Sequence, residues 1–140
     1  MVIAFDFDGT VAIDGWPDIG NARANRVVID WLKKRKAMGD QIILWTCREN
    51  YGGVRFPDGF YLNEAVRYCT RNELFMDNVN MSIGEVDGDY GTKFGRKITA
   101  NFYLDDASVP FDPKSRFAWL WWKVYLKLVD WRLARCQKNG

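Results

Sequence analysis

Val2-Ile3-Ala4-Phe5-Asp6-Phe7-Asp8-Gly9-Thr10 is the stretch on which both fold and chemistry turn. A short hydrophobic strand delivers two carboxylates, two positions apart, to its C-terminal end. Side chains two apart on a strand share a face. If extended geometry runs through the pair, Asp6 and Asp8 point the same way. Like charges that close repel, so one carboxyl is protonated or a cation neutralises both. Gly9 permits a turn with unusual backbone angles, and Thr10 adds a small hydroxyl. The arrangement suits a Mg2+ site with a carboxylate nucleophile and a neighbouring carboxyl acid/base.

Outward from this stretch, Ile42-Ile43-Leu44-Trp45 is a continuous apolar run that reads as a second, buried parallel strand, with Thr46 at its C-terminal end and Arg48 just beyond. Phe102-Tyr103-Leu104 is a further short strand, ending in Asp105 and Asp106. Adjacent strand residues point to opposite faces, so these two carboxylates are expected to do different jobs. Lys93, Arg96 and Lys97 lie shortly upstream.

Taken in this order, the motifs resemble those of the haloacid dehalogenase superfamily, over roughly residues 2–108. Trp45-Thr46-Cys47-Arg48, the segment 62–69 and the segment 75–80 look like a small, capless bacterial and phage subgroup of its phosphatases. The resemblance implies a Rossmann-like α/β fold with a short parallel sheet flanked by helices, minimal or no cap, and the first strand between the second and the fourth. It implies Mg2+-dependent phosphomonoester hydrolysis through an aspartyl-phosphate. Asp6 would attack phosphorus, and Asp8 would act as acid and then base. Thr46 and Lys97 would stabilise the phosphoryl charge, with Lys97 preferred over Lys93 and Arg96. Asp6, Asp106 and the backbone carbonyl of Asp8 would hold Mg2+. Asp105 would orient Lys97 or a metal-bound water, or the two acids would exchange roles. Thr10 and Arg48 are candidate substrate contacts, and the substrate would be a phosphorylated small molecule. The alternatives are a phosphotransferase on the same scaffold and a non-catalytic assembly module.

Composition narrows the field. The 140 residues make one domain, and 48% of them are hydrophobic, enough for a real core. A net charge of +2 implies neither strong nucleic-acid nor strong membrane electrostatics. The absence of His excludes His-based triads, bases and metal sites. The 3 Cys have no paired spacing and point to a reducing cytoplasm. The first residues carry no secretory signal.

Strand and helix patterns alternate, which predicts a parallel sheet with helices on both faces. Residues 11–19 read as a loop, 21–38 as a helix ended by Gly39, 62–71 as a helix and 75–79 as a short strand. Segments 49–60 and 84–96 are glycine-bearing loops. Asp112-Pro113 resembles a helix start, with a Trp-rich helix over 114–137. Phe117, Leu120, Trp121, Val124, Leu128 and Trp131 form one apolar stripe of that helix. Trp119, Trp122, Leu126, Val129 and Leu133 form another. One stripe can cover the sheet. The other calls for the domain's own loops, a homodimer face or a membrane surface. Lys123, Lys127, Asp130 and Arg132 interrupt the run too often for a transmembrane span.

Overall fold

The computed structural model describes residues 1–48, 50, 60–81 and 98–138, with side chains through 135. In chain order, the elements are β1 (Val2–Phe5), a hairpin of β2 (Ala12–Ile13) and β3 (Arg23–Ala24), helix α1 (Arg26–Ala37) and β4 (Gln41–Leu44). Helix α2 (Tyr61–Arg71), β5 (Asn78–Val79), β6 (Phe102–Leu104) and α3 (Ala118–Lys138) follow. Four parallel strands form one sheet in the order β5-β4-β1-β6. β1 is therefore interior, between β4 and β6, as expected.

The apolar runs explain the sheet. Ile3 pairs with Ile42 and Phe102, and Phe5 with Leu44 and Leu104, so alternate residues of three strands share one face. That face carries the main core. Val28 and Leu32 of α1, Ala65 and Cys69 of α2, and Trp122 and Leu126 of α3 all join it. Ala4 and Ile43 point the other way, to a small cluster with Ile98. The described helices thus cover one face of the sheet, not two. The connection from β5 to β6 lies largely outside the described residues.

Helix α1 begins at Arg26 rather than at residue 21. Residues 19–21 form a 3-10 turn, and Ala24 pairs with Ala12 across the hairpin. Asn25 fixes the start: its backbone N–H donates to the Val11 carbonyl, and its side-chain amide donates to the Thr10 carbonyl at 2.9 Å. The buried positions Val28, Ile29, Trp31 and Leu32 all fall inside the shorter helix. Gly39, at φ +92°, ends the segment in the left-handed region that glycine tolerates. Asp112 likewise caps a turn and not a helix, accepting from the Lys114 N–H at 2.9 Å, and α3 starts four residues later than 114.

The two stripes of α3 separate cleanly. Trp122, Leu126, Val129 and Leu133 are buried against the core, whereas Trp119 turns outward with the whole of the Phe117–Trp131 stripe. Polar contacts to Asp130 fasten α3 to α1. The Trp31 indole N–H donates to Asp130 at 2.9 Å, and Arg35 reaches the same oxygen at 3.4 Å. Among the described residues, no helix is long and apolar enough to cross a membrane.

Candidate functional site

Parallel strands end together, so β1 and β6 bring their terminal acids to one edge of the sheet. Ligands bind at this edge in open α/β folds. The Asp6 N–H donates to the Leu104 carbonyl at 2.9 Å, which locks the two strand ends in register. Asp6, Asp105 and Asp106 each offer a carboxylate oxygen, and the three oxygens lie within 4.8 Å of one another. Asp105 extends the strand and accepts from the Ala107 N–H at 2.9 Å, opening a short 3-10 turn. Both acids of the pair therefore reach the cluster, although they are neighbours in sequence.

Burial pushes the Asp6 carboxyl up to about 7, opposed by the Phe7 amide and reinforced by repulsion from Asp105, Asp8 and Asp106. Burial, and then the adjacent Asp105, also raise Asp106 above the usual carboxylate range. Three converging oxygens with mutual repulsion, and no nitrogen or sulfur among them, fit a hard divalent cation such as Mg2+.

The loop after Asp6 is built around close approach. The Phe7 carbonyl accepts from the N–H groups of Val11 and Ala12, closing the turn. Gly9 sits at φ +78°, and a Cβ there would lie 2.0 Å from Asp106 Oδ2. Glycine is required twice, for its backbone angle and for the space that Asp106 fills. Thr10, expected at the substrate, is fully buried. Its Oγ1 accepts from the Asp106 N–H at 2.8 Å and so holds the metal candidate's backbone in place.

Asp8 does not join the cluster. The strand ends at Phe5, and the Asp8 carboxylate turns to Arg48 in a two-point ion pair, at 2.8 Å from Nε and 2.7 Å from Nη2. Arg48 was expected to contact substrate. It is 1% exposed and also donates to the carbonyls of Gly15 and Pro17, at 2.9 and 3.2 Å. Its guanidinium also lies 5.0 Å from the Phe7 ring centre and 4.9 Å from that of Trp16. Such a group is a clamp that binds Asp8 to the 14–17 loop. Thr46 stands at the end of β4, with its Oγ1 accepting from the Arg48 N–H at 3.2 Å. Lys97, with Lys93 and Arg96, falls outside the described residues.

Two asparagines to which the sequence assigned no role support the site. Asn25 braces the turn through Thr10, and the Asn80 side chain accepts from the Thr46 N–H at 2.8 Å. Cys47 and Cys69 are free thiols, and burial pushes the Cys69 thiol up to about 12, where it is inert.

No protein-family model and no curated protein matches the chain. Among solved structures, a conserved protein coded by a locus of Bacteroides thetaiotaomicron is similar, at 25% identity and a TM-score of 0.66. The match covers 94% of this chain and 91% of that one, so the likeness is one of fold across nearly the whole length.

Proposed function

We propose that the chain is a Mg2+-dependent phosphomonoester hydrolase of the haloacid dehalogenase type, acting on a phosphorylated small molecule in the cytoplasm. The observation that carries this reading is the convergence of Asp6, Asp105 and Asp106 from two adjacent parallel strands. Bound Mg2+ would neutralise the acidic cluster and offset repulsion between an anionic nucleophile and an anionic substrate. Asp6, at the strand end, attacks phosphorus and carries the phosphoryl group as an acyl phosphate. Asp8 gives a proton to the leaving oxygen and later takes one from water. To do so, it must release at least one of its two bonds to Arg48. Thr46 and Lys97 would donate to the phosphoryl oxygens, and backbone amides of the turn after Asp6 add fixed positive dipoles.

The test is hydrolysis of p-nitrophenyl phosphate by the wild type with Mg2+, the wild type with EDTA, and Asp6→Asn with Mg2+. Turnover that needs both the metal and Asp6 supports the reading. If the wild type shows neither turnover nor Mg2+-dependent binding of beryllofluoride, the reading fails.

A further inference from the structure

Phe117, Leu120, Trp121, Val124, Leu128 and Trp131 of the α3 segment are each 45–58% exposed. They recur at helical spacing along some four turns, so they form one continuous apolar ridge directed away from the core. A groove of about 450 Å³ runs between Val124, Lys127, Leu128 and Trp131. All its walls come from one helix, so it is open to a broad partner and encloses no small molecule.

The charges on α3 are one-sided. Lys123, Lys127, Arg132 and Arg135 are exposed, and at 3.6 residues per turn Lys123 and Lys127 border one edge of the ridge and Arg132 the other. The helix's one acid, Asp130, is turned inward to Trp31 and Arg35. Lys123 lies 4.9 Å from the Trp119 ring centre, and Arg135 lies 3.7 Å from that of Trp131. Arg135 thus rests on a ring of the ridge itself, while Lys123 packs on Trp119, which lies beyond the ridge toward the buried stripe. An apolar ridge of Trp, Leu and Phe bordered by Lys and Arg is the pattern of a helix lying in a lipid interface. A second copy fits poorly, since face-to-face pairing would bring cation against cation with no acid of α3 between them.

We propose that this face of α3 docks the domain on an anionic lipid surface. The apolar ridge enters the acyl boundary, while Lys123, Lys127 and Arg132 meet the head groups. The docking is independent of the chemistry at Asp6.

The full chain would be sedimented with vesicles of phosphatidylcholine alone and of phosphatidylcholine mixed with phosphatidylglycerol. The expected result is binding to the mixed vesicles only, weakened by salt and accompanied by a blue shift of Trp emission. Lys123→Glu/Lys127→Glu and Trp121→Ser/Leu128→Ser should each weaken binding by about tenfold or more. Their melting temperatures should stay near that of the wild type, because every altered side chain is exposed. Absence of wild-type binding, equal binding to both vesicle types, or binding unaffected by either double substitution would overturn the proposal. So would a lipid-free dimer in analytical ultracentrifugation that Trp121→Ser/Leu128→Ser dissociates, which would give the face to a second copy.

Discussion

Asp6 carries two opposed properties, since the reaction proposed for it needs a charge that its surroundings disfavour. Its folded pKa of about 7 lies above the ordinary 3.8. The folded protein therefore holds this proton more tightly than the unfolded chain, and metal-free stability falls as pH rises from about 4 through 7. Asp6→Asn removes the ionisation. In EDTA at pH above 7, the variant should be more stable than the wild type by roughly 2 kcal/mol once solvent screening is allowed for, and so melt higher. The gain should vanish near pH 4, and equal melting at both pH values would refute the linkage. Gly9→Ala is the opposite case. Its strained φ and the encounter with Asp106 should cost at least about 2 kcal/mol in urea unfolding and weaken Mg2+ binding in calorimetry. Arg48→Met separates clamp from substrate contact. A clamp predicts a loss of about 3 kcal/mol of stability and a fall in kcat with KM little changed. A substrate contact predicts mainly a raised KM. The acids and Gly9 were legible because their chemistry is local to one short string. Arg48 was not, because nothing in sequence distinguishes a buried guanidinium from a solvated one. Its partners are set by a loop some 30 residues away, from residue 15 to 17.

Strands and helices differ in how they declare themselves. β1 and β4, interior to the parallel sheet, were readable as continuous apolar runs because such strands are buried, and β6, at the end of the described strand order, as a short apolar run before two acids. The start of α2 was legible to within one residue, but those of α1 and α3 were not, because the polar residues ahead of them bond elsewhere. Asn25 stops α1 by bonding the turn that carries Thr10, and Asp112 spends its cap on a turn ahead of α3. The stripe that α3 buries was equally ambiguous, since both stripes have the period of a core-facing helix. What decides between them is polar. Asp130 lies next to the Trp122–Leu133 stripe and meets Trp31 and Arg35 of α1, so the ion pair and the apolar contacts select the same face. Asp130→Ala should therefore leave the Trp31 indole N–H without its acceptor and Arg35 with Asp40 as its remaining acid, and cost about 1–3 kcal/mol in urea unfolding. Lys127→Ala, one turn away on the exposed face, should change stability by less than about 0.5 kcal/mol. A loss at Asp130 no larger than that at Lys127 would mean that apolar packing alone seats α3. Asp77 ties the sheet in a comparable way. Burial opposes its ionisation, but Lys36 and the Ile42 N–H prevail and hold it below the usual range. Its contribution is present above the unfolded pKa and is lost as pH falls through the folded one.

At the scale of the whole molecule, the acidic cluster joins two strands that are adjacent in space and a hundred residues apart in sequence, so a cation bound there exists only in the folded protein. Mg2+ should then stabilise the fold by mass action, by about 2.7 kcal/mol at a hundredfold excess over its dissociation constant. For a domain of this length, that is a rise in melting temperature of roughly 10 °C. The geometry also sorts the four acids. Asp106→Asn removes one of three converging oxygens and should abolish most of the Mg2+-dependent rise. Asp8→Asn should keep it, because the Asp8 carboxylate lies outside the cluster and is bound to Arg48, although this variant starts from a lower baseline for want of its ion pair. Differential scanning fluorimetry across a Mg2+ titration reads both. A rise that survives Asp106→Asn would locate the cation elsewhere. A rise lost in Asp8→Asn would mean that the clamp opens when the metal binds, so that Asp8 enters the site with the cation and not only with the substrate.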